Sequence, residues 1–293
     1  MALSQVMSDE LTGASQGEWV REVRRGLEAG RLAPYLGTGV AALTGTSVPT
    51  SYEALAVFLG SKVSLPKRAR GNVWAAAQYI ESQKHRSTLV ALLNEAFATP
   101  VPPMAFHSFL ARLPLPLIID TWYVSAMRTA LAGRRDWGEI QGTSRAKLAH
   151  VRWTQAYDAS GNPVPDEEAV GWKTLLYEPH GCVAPDNNFL AADSDYVETL
   201  TEIDIQTPIP EEVQRRREGL GFVFLGCRFH DQLLRTYARQ IAKRSRGPHY
   251  VVLDPATATR NERRFVSELG MTPLLAPLAE VLEGLAGRDK EGP

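Results

Sequence analysis

The chain has 293 residues, of which 44% are hydrophobic and 22% charged, and its formal net charge is −1. This is the balance of an ordinary soluble globular chain, long enough to bury a large core, and it excludes a global positive field drawing the molecule to nucleic acid or anionic lipid. Two cysteines, Cys182 and Cys227, with no C-x-x-C exclude a zinc ribbon; no apolar run approaches a membrane span and the first residues lack a signal-peptide pattern, so the expected setting is the reducing cytoplasm.

Residues 1–17 are small and polar and are expected to be mobile. A helix is predicted from Glu18 to Ala29, with Trp19, Val23 and Leu27 on one stripe. "RLAPYLG" follows as a short strand, placed at an edge or early in its strand by Pro34, which has no N–H to give a ladder. Four helices are then predicted in the stretches "SYEALAVFLG", "NVWAAAQYIES", "RSTLVALLNEAF" and "FHSFLARLP".

"LPLIIDTWY" is apolar on both faces, as a central parallel strand is, and "SAMRTALAG" is its helix. Residues 133–173 are richer in Gly, Trp and charge, with a hairpin turn in "YDASGNPV", and read as an inserted excursion of short strands. "TLLYEPHG" returns to strand, and "DSDYVETL" is a short helix capped by Asp193 or Ser194. Three further strand–helix pairs close the chain, beginning at "GLGFVFLGCRF", "PHYVVLD" and "MTPLLA". That alternation implies right-handed βαβ units and a parallel sheet. The basic stretches "RRR" (215–217) and "KRSR" (243–246) lie on or beside predicted helices and read as solvated faces.

Ligands of doubly wound sheets bind at the C-terminal ends of strands, where Gly37 and Gly39 of "GTG" stand. Their missing side chains would let backbone N–H groups approach a phosphate. By itself the pair reads as an ordinary strand-to-helix turn, because the full G-x-G-x-x-G is absent and Ala42 holds the third position.

Four stretches in order stand at predicted strand ends: "YLGTGVA" (35–41), "LIIDTWYVSAM" (117–127), "LLYEPHGC" (175–182) and "FVFLGCRFHDQLLR" (222–235). Together they resemble the SIR2-like family, the group around sirtuins and the bacterial NAD-consuming SIR2 domains. The resemblance runs from about Glu18 to Leu285. It implies a Rossmann-like parallel sheet with helices on both faces, a small inserted module (133–173) and an N-terminal helical region (51–112), within one domain at 18–290. The sirtuin deacylases' four zinc cysteines are missing, which points to the zinc-free branch with no metal.

The resemblance also implies site residues. NAD, or an ADP-ribose-like ligand, would lie against Gly37, Thr38, Gly39, Val40, Thr121, Trp122, Gly226, Cys227 and Asp231. His180 matches the family histidine that contacts the nicotinamide ribose and serves as base; otherwise it is a turn histidine bonded to backbone. Asp231 is equally a helix cap, and Cys227 equally a small buried residue. Cys182, two residues from His180, has no orienting partner, and His107 on its apolar helical face reads as a structural histidine.

The family's asparagine and following aspartate have no counterpart in "DTWYV". Trp122 is expected to fill the nicotinamide space or to stack on a flat ring there. Asp120 and Tyr123 are the remaining polar substitutes, on opposite faces of the strand. Losing a positioned polar group slows chemistry by about two to three orders of magnitude. The expected function is therefore binding of NAD or a related dinucleotide with weak NAD glycohydrolase activity. The alternative is an inactive nucleotide sensor or an interaction scaffold with a blocked pocket. A separately encoded protein partner or a homo-oligomer fits either; membrane and nucleic acid do not.

Overall fold

The computed structural model describes residues 13–144, 153–196 and 209–287. Residues 1–12 of the expected mobile segment, 145–152 of the inserted stretch, the second half of "DSDYVETL" and 288–290 lie outside the described residues.

Among the described residues one sheet holds nine strands. These are β1 (Leu32–Leu36), β2 (Leu117–Asp120), β3 (Trp137–Gly142), β4 (Thr154–Asp158), β5 (Pro163–Val164), β6 (Thr174–Glu178), β7 (Gly221–Leu225), β8 (His249–Leu253) and β9 (Thr272–Leu275). Their order is β5-β4-β3-β6-β2-β1-β7-β8-β9. Every pair from β3 to β9 is parallel, and β4 and β5 add antiparallel at one end. β1, β2, β6 and β7 are buried along their whole length, as strands covered on both faces must be. The chain winds from β1 through β2 to β6, then returns past β1 to β7, β8 and β9. A crevice therefore opens at the C-terminal end of β1, where the winding reverses.

Helices cover both faces. On one lie α1 (Gly13–Glu28), α6 (Ala105–Arg112), α7 (Ala126–Leu131) and the last helix, α11 (Leu278–Ala286), packing Val23, Phe109, Leu131 and Leu285 on Leu36, Ile118 and Val223. On the other lie α8 (Glu211–Arg217), α9 (Gln232–Ala242) and α10 (Arg260–Glu268), packing Val213, Ile241 and Phe265 on Ile119, Phe222 and Phe224. A third core joins α3 (Tyr52–Lys62), α4 (Val73–Lys84) and α5 (Arg86–Ala96) to Trp122, Tyr123 and Phe189, so these helices stand over the C-terminal ends of the strands. Ser51 and Asn72 cap α3 and α4 by accepting from Ala54 N and Ala75 N. No helix among the described residues is long and apolar enough to cross a membrane.

Four local findings differ from or refine the expectations. The first helix starts at Gly13, because its opening residues GASQG carry no large apolar side chain and the stripe begins only at Trp19. β1 is central, not an edge strand. Pro34 is tolerated because its nitrogen faces β2, whose pairing with β1 begins only at Tyr35. The stretch 133–173 supplies β3, β4 and β5 to the main sheet, and Asp158 forms the expected turn by accepting from Ser160 N and Asn162 N, each at 2.9 Å. "RRR" is not a solvated face. Arg215 is exposed, but Arg216 is buried and donates to the carbonyls of Pro116, Ala169 and Trp172. Arg217 is buried too and donates to Gln240 O.

Candidate functional site

The ends of β1 and β7 approach so closely that side chains are excluded. A Cβ on Gly37 would run into the Gly226 carbonyl and stand 2.7 Å from Cys227 Cα; one on Gly39 would stand 2.9 Å from Gly226 Cα. Gly226 itself has φ +67°, which favours glycine. The two glycine N–H groups are engaged across this contact: Gly37 N donates to Leu225 O and Gly39 N to Gly226 O, both at 2.9 Å. The glycines thus serve strand-end packing first.

Around this contact lies a cleft in two parts. An inner chamber with a cavity volume of about 20 Å³ is lined by Gly37, Thr38, Thr121 and His180 among others. An outer part with a cavity volume of about 470 Å³, open to solvent, runs past Gly39 and Gly226 toward Asp254, Thr257 and the start of α11. Thr38, Tyr52, Cys227 and Arg228 line both parts, so the two form one elongated groove. Four separate strand ends, those of β1, β2, β6 and β7, bring these groups together.

His180 sits on the turn after β6. Gly181 beside it has φ +78°, and a Cβ there would strike the Asn188 carbonyl. The loop is braced from below by Gln141, whose Nε2 donates to Glu178 Oε2 (2.7 Å) and Ala184 O (2.6 Å), and whose Oε1 accepts from Asn188 (2.9 Å). From above, Arg86 pairs with Asp195 at 2.8 Å and donates to Phe189 O. The imidazole is 1% exposed, and burial lowers its pKa to about 3, so it is neutral at pH 7. Its Nδ1 stands 3.2 Å from the Tyr196 hydroxyl, which also lies within hydrogen-bond reach of Leu190 O at 2.7 Å. Its Nε2 is buried with no hydrogen-bond partner.

The other predicted residues divide. Thr121 lines the inner chamber, with its hydroxyl donating to Leu36 O at 2.8 Å. Cys227 is a buried thiol that burial holds protonated. Val40 is 2% exposed and packs in the core between sheet and helices, lining neither part. Asp231 caps α9 by accepting from Leu233 N at 2.7 Å and lines neither part. Asp120 is buried and accepts from Trp122 N at 3.1 Å; burial raises its pKa to about 7. Trp122 is 1% exposed, turned into the aromatic core among Tyr52, Phe97 and Tyr123, and its Nε1 donates to Pro49 O at 3.0 Å. It neither fills nor lines the two-part groove. Cys182 is buried with its thiol toward Tyr123 O, and His107 accepts from Met104 N in the α6 cap.

Sequence reasoning missed Tyr52, Arg228 and Glu262. Arg228 directly follows the Gly226–Cys227 turn, a positional signal available in the sequence. Tyr52 and Glu262 reach the groove from helices that carry no such mark. Among the described residues no three His, Cys, Asp or Glu side chains cluster so as to hold a metal ion.

A doubly wound sheet with an elongated groove at its winding reversal defines the class of α/β proteins that bind ligands at the C-terminal ends of their strands. Residues 116–274, more than half of the chain, match the family model of the SIR2-like domain, and the chain belongs to that family. The match contains the β2, β6 and β7 ends; the β1 glycine turn precedes it. SIR2-like domains generally bind NAD, which gives the chain an NAD-related function in general terms. No curated protein matches it.

Proposed function

We propose that the groove binds NAD or a related ADP-ribose-bearing dinucleotide, with the adenosine end in the outer part and the nicotinamide ribose in the inner chamber. One observation carries this reading: the buried Nε2 of His180 has no protein partner and belongs to a residue lining the inner chamber. A buried polar atom left unsatisfied costs about 1–3 kcal/mol, which a ribose hydroxyl, able to donate or accept, would recover.

Cleavage of the N-glycosidic bond sends its electron pair to nicotinamide, while water adds to the ribose carbon and loses a proton. His180 Nε2 is the acceptor for that proton or for a ribose hydroxyl. With a pKa of about 3 it is a weak base, and no carboxamide stands where the family has its asparagine. Both features support slow glycohydrolysis. A second reading, a nucleotide sensor without turnover, is favoured by Trp122, whose one polar atom is committed to Pro49 O.

Calorimetry with NAD and ADP-ribose, alongside a nicotinamide-release assay, tests both readings. Both ligands are expected to bind with affinities within about tenfold of each other, since the groove's outer contacts are common to them. His180→Ala is expected to abolish release. Failure of the folded protein to bind either ligand would overturn the proposal, and release unaffected by His180→Ala would remove His180 from it.

A further inference from the structure

We infer that Arg228, and not the N–H groups of Gly37 and Gly39, provides the charged anion contact of the groove, so that its ligand is recognised by a phosphate or diphosphate between its two ends. This rests on the groove being a nucleotide site.

Three observations converge. First, the two glycine N–H groups of the turn are engaged: Gly37 N and Gly39 N donate to Leu225 O and Gly226 O. A phosphate placed there would have to break strand-end hydrogen bonds. Second, Arg228 is the one arginine or lysine among the described residues lining the groove, and it lines both parts. A diphosphate ligand carries two negative charges, and the acidic residues of the outer part, Glu53, Asp254 and Glu262, oppose it. A cation is needed at the junction, and Arg228 stands there.

Third, the guanidinium is held for the task. Its Nε donates to Glu262 Oε1 at 2.9 Å, and Nη2 approaches Glu262 Oε2 at 3.5 Å. Glu262 is itself fixed by Phe229 N, Thr259 N and the Thr259 hydroxyl, each at 2.9 Å. One edge of the arginine is thereby anchored to the first turn of α10. Nη1 has no hydrogen bond to any described residue, and the side chain is 41% exposed. A charged donor held by one edge, with the other edge open, loses little freedom on meeting an anion.

The test compares ADP-ribose, AMP and adenosine on the native chain, Arg228→Ala and Arg228→Lys. Calorimetry reads the first two ligands, and ligand-observed NMR reads adenosine. Arg228→Ala is expected to weaken ADP-ribose by about 10- to 100-fold, the range for a charge-assisted contact, and adenosine by less than about twofold. Arg228→Lys, with charge but no fork, is expected to fall between. ADP-ribose binding to the native chain is expected to weaken with salt more steeply than binding to Arg228→Ala. Should Arg228→Ala fail to fold, Arg228→Gln removes the charge and keeps a donor for Glu262. Unchanged ADP-ribose affinity in the uncharged variant would overturn the inference while leaving the proposed function standing. An equal loss for adenosine would overturn it in favour of a purely structural arginine. No binding of any of the three ligands by the native chain would overturn both.

Discussion

Trp122 illustrates how a residue at a site position can belong to the core. Its ring is 5.0 Å from Tyr52 and 5.8 Å from Phe97, both edge-on, and its N–H is satisfied by Pro49 O. Trp122→Asn would replace a packed indole by a smaller amide in an apolar cluster. The expected result is a loss of about 3–5 kcal/mol in stability, as for large-to-small aromatic substitutions, and no gain in nicotinamide release. Chemical denaturation and the release assay check this; a stable variant with faster release would show that position 122 does reach the ligand. Gly37 makes the complementary case. A methyl group there meets backbone rather than a movable side chain, so Gly37→Ala is expected to destabilise by about 1–3 kcal/mol or more through overpacking. A thermal melt within experimental error of the native one would refute the close β1–β7 contact.

At the scale of elements, α8 is pinned to the sheet by one side chain. Arg216 donates to Pro116 O before β2 and to Ala169 O and Trp172 O before β6, and pairs with buried Glu212 at 2.6 Å. The helix buries Val213 and little other large apolar surface, so these charged hydrogen bonds locate it. Arg216→Ala would remove a charged donor from three carbonyls, of which Pro116 O and Ala169 O keep backbone donors, and would leave Glu212 with Arg215 alone, an expected cost of about 2–4 kcal/mol. Equilibrium denaturation measures it, with Arg215→Ala, whose side chain is 62% exposed, as a control expected to change stability by about 1 kcal/mol or less. Equal effects of the two would sink this account of how α8 docks. The composition of "EEVQRRR" suggests a surface helix because charge normally seeks water. The carbonyls that take Arg216 inward lie about 45 and 100 residues earlier, at distances the local pattern does not report.

For the whole molecule, buried titratable groups set the pH dependence. Burial lowers His180 to about 3 and His107 to about 4. Between those values and the ordinary histidine range the unfolded chain binds more protons, so their contribution is present above pH 6.5 and lost as pH falls. Burial raises Asp120 to about 7 and Glu139 to about 8, the latter despite its Arg128 partner. For these the folded chain holds the extra proton, so their contribution is present below about pH 4 and lost as pH rises through 7 to 8. Above pH 6.5 the second set outweighs what is left of the histidine titration. The melting temperature is therefore expected to fall from pH 6.5 to 8, and Asp120→Asn to fall less steeply. A native melting temperature that rises over that interval, or an unchanged slope in Asp120→Asn, would contradict the buried-acid account.

The sheet itself is written locally. Apolar runs such as Leu115–Ile119 and Phe222–Leu225 suit strands covered on both faces, and the helices between them carry their own stripes. Such patterns depend on residues within a dozen positions of one another. They also bring Gly37, Thr38, Thr121, His180 and Cys227 to one chamber, because strand ends are marked in the sequence and a parallel sheet aligns them. What surrounds those ends depends on long-range packing. The helices at 52–96 decide that Trp122 turns into an aromatic core, and α10 decides that Arg228 is held by Glu262. The β7 turn decides that the glycine N–H groups are engaged. Each of these is a contact between segments far apart in the chain, whose geometry exists only once the layers have packed. For that reason the fold and the strand-end residues were open to sequence reading, and the direction of Trp122 and the anion contact were left to tertiary structure.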